Sequence, residues 1–407
     1  MPSLTQIRLA RRCRVVDPAG ATVDDAVATL YAAPHSYTGE DMLELTVHGG
    51  AVAPILVLDT LVAAGARQAE PGEFTRRAVL NGKLDLLQAE AVADVIDARS
   101  SAAHRQALRQ LGGGLSRQLT DLRGQILQLE ALLAYDIDFP EEDDGPISRE
   151  RVAAATDEVM TTLQRLLSTG RIGELVHDGA LVVLAGPPNV GKSSLFNALV
   201  GESRAIVTET PGTTRDAIEA VIDRPTFPLR LVDTAGLRQD PDPIERLGIE
   251  TATRYLERAA IVLACLTGVA DECVTATLRD CTDAAIITVG TKADLARAAF
   301  DADVHVSALT GTGLSELLAL IEARLGERPG LSAPDAPVLT RTRHRVMIEQ
   351  AVEEMHRFRA AWAVSDLPAP VVASHLHAAR GSLEELIGTV QVDDVLDVVF
   401  RSFCVGK

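Results

Sequence analysis

The stretch Gly186-Pro187-Pro188-Asn189-Val190-Gly191-Lys192-Ser193-Ser194 decides how the rest of the chain is read. The apolar run from Ala180 to Ala185 precedes it and predicts a buried strand, while Leu195, Phe196, Ala198 and Leu199 follow at helical spacing. Strand, glycine-rich loop and helix together form the setting in which backbone N–H groups turn inward around phosphate oxygens. There a lysine such as Lys192 reaches the β- and γ-phosphates and a hydroxyl such as that of Ser193 ligates Mg²⁺. A ligand-free glycine turn is the competing reading. The spacing, the Lys-Ser pair and the flanks favour the phosphate loop.

Downstream, four signatures follow in the order a guanine-nucleotide site requires. Gly212-Thr213-Thr214-Arg215-Asp216 predicts a loop in which a hydroxyl completes a Mg²⁺ shell. Asp233-Thr234-Ala235-Gly236 follows a predicted strand; its Asp suits water-mediated Mg²⁺ contact and its Gly a backbone N–H toward the γ-phosphate. Thr291-Lys292-Ala293-Asp294 closes another strand, and an Asp there accepts from N1–H and the exocyclic amine of guanine, which adenine lacks. Ser307-Ala308-Leu309 supplies a second base-lining loop. The set points to GTP over ATP.

Thr291 stands where guanine-binding loops usually carry Asn. A hydroxyl replaces an amide, so guanine preference through Asp294 with weakened affinity is expected. Leu237 follows Gly236, where Ras-like switches place a water-orienting Gln. Leucine cannot do that work; Glu245, in the next segment, is the candidate to orient the attacking water, with a solvated switch carboxylate as its plainer reading. In place of an arginine finger, a monovalent cation can neutralise charge between the β- and γ-phosphates, and Asn189 offers it a carbonyl oxygen.

Outside these motifs the 407 residues carry 47% apolar side chains and a net charge of −18. A chain so acidic is unsuited to coating nucleic acid broadly. The clusters Arg11, Arg12, Arg14 and Arg341, Arg343, Arg345 are candidates for local RNA or partner contact, and equally for solvated faces. The five cysteines lack metal-ligand spacing, and neither a membrane-length apolar run nor a signal-peptide pattern is present, so a reducing cytoplasm is expected.

In chain order, Gln6–Val16, Ala26–Tyr31 and the alternation around Leu43, Leu45 and Val47 predict strands; Val52, Ile55, Leu56 and Val62 predict a helix. Leu119, Leu122, Ile126, Leu129 and Leu133 keep helical spacing, as do Val152, Val159, Leu163, Leu166 and Leu167 after an acidic break at 139–146. Short apolar runs alternating with helices then fill 179–330. After a linker from Pro329 to Pro337, Val346, Val352, Met355 and Phe358 predict one helix face, and Val392, Leu396 and Val399 another. The expected architecture is an α/β P-loop GTPase domain (179–330) inserted in an all-α helical domain (84–178 plus 331–407). A small α+β domain (1–83) precedes both.

From about Tyr37 to Lys407 the chain resembles the MnmE (TrmE) family of tRNA-modification GTPases, within the TrmE-Era-EngA type. The pieces that carry the resemblance are Tyr37-Thr38-Gly39-Glu40-Asp41, His48-Gly49-Gly50 and Pro71-Gly72-Glu73-Phe74-Thr75-Arg76-Arg77-Ala78. Asn81-Gly82-Lys83-Leu84-Asp85-Leu86 and Phe403-Cys404-Val405-Gly406-Lys407 complete the set. The resemblance implies a tetrahydrofolate-binding, dimerising N-terminal domain and K⁺-dependent pairing of two nucleotide domains. It also implies a flavoprotein partner, MnmG (GidA), in a heterotetramer. Together the two would add an aminomethyl or carboxymethylaminomethyl group to the wobble uridine of certain tRNAs, with 5,10-methylene- or 5-formyl-tetrahydrofolate bound, and much of the tRNA contact left to the partner.

Carried onto this sequence, the resemblance implies GTP contacts from Asn189, Val190, Gly191, Lys192, Ser193 and Ser194. It adds Thr208, Glu209, Thr210, Pro211, Gly212, Thr213 and Thr214, then Asp233, Thr234, Ala235 and Gly236. Thr291, Lys292, Ala293, Asp294, Ser307, Ala308 and Leu309 complete the nucleotide set. Ser193 and Thr214 would hold Mg²⁺, Asn189 with Thr208, Thr210 and Thr213 would hold K⁺, and Glu245 with Lys192 would be catalytic. Glu44, Lys83 and Lys407 would meet the folate; a surface carboxylate and a turn lysine are the plainer readings of the first two. Cys404 is either reactive or a small tail residue. The family begins with a further strand and a Gly-rich segment bearing a folate-contacting arginine, and this sequence is expected to start downstream of them. Two other readings are a GTP-driven ribosome-assembly switch without modification chemistry, and a folate-binding module with a regulatory GTPase.

Overall fold

In the computed structural model of the chain, the described residues are 8–98, 100–138, 148–202, 205–206, 218–224, 227–233, 254–268, 272–295, 300–326, 338–363 and 369–388. The chain divides into two compact units, one of Met1–Ala93, Gln110–Gly124 and Arg380–Lys407, the other of Asp94–Arg109 and Gln125–Ala379.

The first unit opens with a three-stranded antiparallel sheet of β1 (Arg11–Val16), β2 (Thr22–Tyr31) and β3 (Met42–Thr46), in that order. The turn between β1 and β2 is made by Asp17, whose Oδ1 accepts from Ala21 N at 2.8 Å, with Gly20 at φ 86°. An Asp that bonds backbone ahead of it and a glycine in the left-handed region are what such a turn demands. Helices α1 (Ala53–Ala63), α2 (Glu73–Leu80) and α3 (Leu86–Asp97) follow. A reciprocal capping box starts α3: Asp85 Oδ1 accepts from Gln88 N at 2.8 Å and Gln88 Oε1 from Asp85 N at 3.1 Å. Helix α1 is apolar nearly all round, yet it buries Val57 while Val52, Ile55, Leu56 and Val62 stay exposed.

In the second unit the chain enters a seven-stranded sheet of order β10-β9-β8-β4-β7-β6-β5. Its strands are β4 (Ala180–Ala185), β5 (Ala205–Ile206), β6 (Ile218–Ile222), β7 (Leu229–Asp233), β8 (Ile261–Leu266), β9 (Ala285–Gly290) and β10 (Val304–His305). The five strands from β10 to β7 run parallel; β6 and β5 are antiparallel additions at one edge. The core strand β8 is buried at every position, because helices cover both faces. Helices α7 (Lys192–Glu202) and α9 (Leu314–Gly326) pack over Val182, Leu184, Ile261, Leu263 and Cys265, while α8 (Glu272–Cys281) packs over Val262 and Ala264 on the opposite face. This is the doubly wound α/β arrangement, in which ligands gather at the C-terminal strand ends.

The helical segments are α4 (Ser101–Leu111), α5 (Gly114–Asp138), α6 (Arg149–Asp178), α10 (Thr342–Ala363) and α11 (Ala369–Ile387). The leucine and isoleucine stripe expected for α5 is buried throughout. In α10 the buried stripe is His344, Ile348, Ala351, Met355 and Phe358, with Val346 and Val352 only half-buried. Met355 and Phe358 are as expected; Val346 and Val352 flank a stripe that His344, Ile348 and the small Ala351 occupy where α10 lies on α6. The expected acidic break, the 329–337 linker and the Val392–Val399 helix lie outside the described residues.

Candidate functional site

The phosphate loop is shaped by β4 below it and β8 beside it. At Gly186 φ is 146°, and a Cβ there would lie 2.4 Å from the Cys265 carbonyl oxygen, so only glycine fits. Asn189 and Gly191 also have positive φ, 60° and 104°. Left-handed residues interspersed in the loop turn successive backbone N–H groups to one side and make an anion cradle. Val190, 3% exposed, anchors the loop in the core. Lys192 opens α7, and its Nζ donates to the carbonyls of Gly186 at 2.9 Å and Pro187 at 2.8 Å, which holds the ammonium over the loop. Ser193 and Ser194 are exposed in the first helical turn, where backbone N–H groups have no intrahelical acceptor.

Asp233 ends β7, and the register pairs it with Leu184, two residues before Gly186. The expected Mg²⁺ contact through Asp233 is thus brought beside the loop that carries Ser193. Burial pushes the Cys265 thiol up to about 12, with Lys192 acting to lower it and Asp233 to raise it. Both charges are therefore within electrostatic reach of the buried Cys265 sulfur at the foot of the loop. An all-oxygen set of a hydroxyl and a carboxylate suits Mg²⁺.

Beyond β9 the chain turns to face the phosphate loop. Thr291 N donates to Leu266 O at 2.8 Å, and Thr291 Oγ1 lies 2.6 Å from Val190 O and 3.0 Å from Leu266 O. One hydroxyl proton serves one acceptor at a time, and the shorter contact is to the phosphate loop. Lys292, at φ 57°, donates from Nζ to Asn189 O at 2.8 Å. Asp294 Oδ1 accepts from Ser307 Oγ at 2.6 Å, and that bond holds the Asp294 carboxyl below its usual range. The cavity so enclosed is about 240 Å³ and is lined by Gly191, Ser194, Leu195, Thr291, Lys292, Asp294, Leu295, Val306, Ala308 and Leu309. Of the base-lining residues expected from the sequence, Thr291, Lys292, Asp294, Ala308 and Leu309 meet at this pocket beside the phosphate loop; Ala293 and Ser307 do not line it, and Ser307 reaches it only through its bond to Asp294. Leu195, Leu295 and Val306 join them as walls that no motif signals. The Val190 and Leu266 carbonyls, as acceptors for Thr291, also leave no mark on the sequence.

In the first unit Glu44 accepts from Tyr31 OH at 3.2 Å, and Lys83 Nζ donates to Pro34 O at 3.1 Å. Gly39, at φ 79°, packs against Asn81 and Lys83. The motif residues around them form an ion-paired group: Arg77 bonds Glu40 at 3.0 Å and Glu73 at 2.6 Å, and Arg67 with Arg77 pulls the Glu73 carboxyl down to about 2.

The arginine clusters are largely engaged. Arg12 pairs with Asp25 at 2.8 Å, Arg341 pairs with Asp94, and Arg345 pairs with Glu174 at 3.1 Å and Glu349 at 2.7 Å. Arg12 and Arg14 of the first cluster are exposed, as a solvated face requires, whereas Arg341, Arg343 and Arg345 are half-buried and do not form one. Glu245, the segment Thr208 to Thr214, Thr234, Ala235, Gly236, Cys404 and Lys407 lie outside the described residues.

Fold and pocket define the class: a P-loop GTP hydrolase, with a parallel sheet, a phosphate loop at its C-terminal edge and an acidic base-binding loop beside it. Two family models divide the chain, "GTP-binding protein TrmE N-terminus" over residues 2–83 and "MnmE helical domain" over residues 86–404. A protein named tRNA modification GTPase MnmE from Methylobacterium radiotolerans is 44% identical over 95% of this chain and 87% of its own. The proteins of that name from Moorella thermoacetica and Aquifex aeolicus are 41% and 40% identical, over 100% and 96% of this chain and 91% and 88% of theirs. The chain belongs to the MnmE family. Among solved structures, the G domain of the T. maritima FeoB iron transporter is 27% identical over 36% of this chain and 98% of its own, with a TM-score of 0.28, too low to bear on the assignment.

Proposed function

We propose that this chain hydrolyses GTP to drive modification of the wobble uridine of certain tRNAs. It would act in the cytoplasm with a flavoprotein of the MnmG (GidA) kind to install an aminomethyl or carboxymethylaminomethyl group at C5. The observation that carries the nucleotide half is the pocket where Asp294, tied to Ser307, stands beside the phosphate loop. The tRNA half is supported by family relatives matched along nearly the whole chain.

In this reading the phosphate loop and Lys192 bind and neutralise the β/γ-phosphates, Asp294 selects guanine, and Glu245 orients the attacking water. Ser193, Thr214 and Asp233 would hold Mg²⁺, which supplies charge neutralisation at the phosphates. Asn189 with Thr208, Thr210 and Thr213 would hold K⁺. The Asn189 main-chain carbonyl is already engaged by Lys292, so its side-chain oxygen is the donor left for a cation. Glu44, Lys83 and Lys407 would contact a tetrahydrofolate; Glu44 suits the pterin N–H edge because a carboxylate accepts two such bonds. The exposed apolar α1 supports a homodimer through the N-terminal region. The division into 1–83, 84–178 plus 331–407, and 179–330 is retained as the domain assignment.

The test has two arms. GTP hydrolysis by the purified chain is measured in KCl and in NaCl at matched ionic strength; strong acceleration by K⁺ supports the cation-assisted mechanism, and equal rates sink it. Wobble uridines are analysed in a strain lacking the gene. Loss of the modified nucleoside supports the tRNA function, whereas normal tRNA with a ribosomal defect would replace it with an assembly switch.

A further inference from the structure

The chain passes from helices into the nucleotide-binding sheet at Asp178-Gly179-Ala180 and is again described, beside the same helix, from Val338. Both crossings are packed on α6. A Cβ at Gly173 would lie 1.9 Å from Leu339 O, Leu339 N donates to Thr169 Oγ1 at 3.2 Å, and Gly170 carries Arg345 against it. Around this seam, charges of alternating sign come from five different parts of the unit. Glu219 on β6 bonds Arg230 on β7 at 2.6 Å. Arg230 lies against Gly179, where its Cγ would be 3.0 Å from an added Cβ, and its field helps to hold the Asp178 carboxyl below its usual range after the bond from His177. His177, in the last turn of α6, bonds Asp178 from Nδ1 at 2.7 Å and Asp94 of α3 from Nε2 at 3.0 Å. Asp94 in turn pairs with Arg341, just before α10. The two bonds raise the His177 pKa to about 9, so the ring is an imidazolium at neutral pH and the alternation is unbroken.

The placement of its ends gives this chain of charges a use. Strand β7 ends at Asp233 beside the phosphate loop, and β6 pairs with it in register from Ile218↔Asp233. A shift of those strands moves Glu219 and Arg230. At the other end, Asp94 and Arg341 belong to the helical segments. Coupling between distant sites needs an element whose equilibrium both ends bias, and a half-buried ion-pair chain that joins the two ends can fill that role.

We propose that Glu219, Arg230, Asp178, His177, Asp94 and Arg341 form a relay that transmits the nucleotide state of the β6–β7 strands to the register of α6 against α10. The transmission rests on the GTP-driven cycle proposed above, and it assigns these residues to coupling, away from the chemistry.

The sequence contains a single tryptophan, and its position reports on that register. Trp362, in the last turn of α10, lies under the Arg149 guanidinium at 5.2 Å and donates to Arg149 O at 3.4 Å, at the opposite end of the same helix pair. The experiment compares Trp362 emission of the full chain with GDP and with a non-hydrolysable GTP analogue, alongside GTP turnover. The expected result is a nucleotide-dependent difference in the unmodified chain that falls at least about fivefold in His177→Gln and Asp94→Asn, with kcat within about twofold. His177→Arg, which keeps the charge, should retain the difference. Should the substitutions impair folding, the unmodified chain suffices: the difference should fade as pH rises through about 9, where His177 loses its proton. No difference in the unmodified chain, a full difference in His177→Gln, or a difference unchanged at high pH overturns the relay. Loss of GTP turnover in the unmodified chain would strike instead at the GTP cycle.

Discussion

The Thr291 hydroxyl sits 2.6 Å from the Val190 carbonyl and joins the loop after β9 to the loop after β4. The sequence suggests that Thr291 is a weakened base contact; the geometry makes it a brace. Replacing it with Val keeps the shape and removes the donor, which leaves a buried carbonyl without that bond at a cost of about 1–3 kcal/mol. Affinity for GTP and GDP should fall together by roughly tenfold, because both share the phosphate loop. Thr291→Ser, which keeps the hydroxyl, should restore most of it. Titration with a fluorescent GDP analogue measures both; an unchanged Kd in Thr291→Val would remove the brace from the account.

Asp294 differs from Thr291 in that its role is discrimination. The Ser307 bond holds the Asp294 carboxyl below its usual range and engages Oδ1, so Oδ2 is the acceptor available for guanine N–H groups. Asp294→Asn replaces an acceptor by a donor and suits xanthine, whose C2 carries a carbonyl. A shift of preference from GTP toward XTP by roughly a hundredfold is expected in competition binding, on the scale at which mispaired polar groups reject a ligand. If the GTP/XTP ratio stays at the wild-type value, another residue reads the base.

Much of this site was legible because short-range patterns encode it. A phosphate loop is a run of consecutive residues, and the pocket loops begin where β9 and β10 end, so apolar runs and turn residues locate them. The α5 stripe was legible for the same reason. What escaped depends on pairs far apart in the chain. Asp94 with His177 and Asp94 with Arg341 are separated by 83 and 247 positions, and nothing local marks either. The α10 face was read partly wrong because size, and not packing, ranks Val352 above Ala351. Likewise, the apolar pattern of α1 announces a helix without saying that Ile55 and Leu56 stay exposed in this chain.

Two glycines inside long helices should respond to alanine with opposite sign. On propensity alone each change stabilises by about 1 kcal/mol. At Gly124 of α5 nothing lies within 4 Å of the added Cβ, so that gain should appear in full as a higher urea midpoint. At Gly173 of α6 the Cβ would meet the Leu339 carbonyl oxygen at 1.9 Å, and the backbone of the adjoining segment must move. Overpacking of this kind costs about 1–3 kcal/mol or more and outweighs propensity. Equal stabilisation of both variants would mean that α6 and the 338–340 segment are not in the contact described.

The His177 cluster also sets a pH dependence of stability, and its sign follows from which state binds the proton more tightly. Bonds from the His177 ring to Asp178 and Asp94, acting against desolvation, raise the folded pKa from 6.5 to about 9. The folded protein therefore holds the proton where the unfolded chain releases it. The stabilisation is complete below the unfolded value of 6.5, declines above it and is mostly gone by pH 9. The charged groups bonded to the ring are Asp178 and Asp94, with Arg341 on Asp94, and the His177 bond holds the Asp178 carboxyl below its usual range, so it stays ionised across that window. With a discount for the exposed part of the ring, the contribution is about 2 kcal/mol. Urea midpoints measured from pH 6 to pH 10 should fall accordingly in the unmodified chain and flatten over that range in His177→Gln. The same slope in both would show that His177 does not carry the proton responsible.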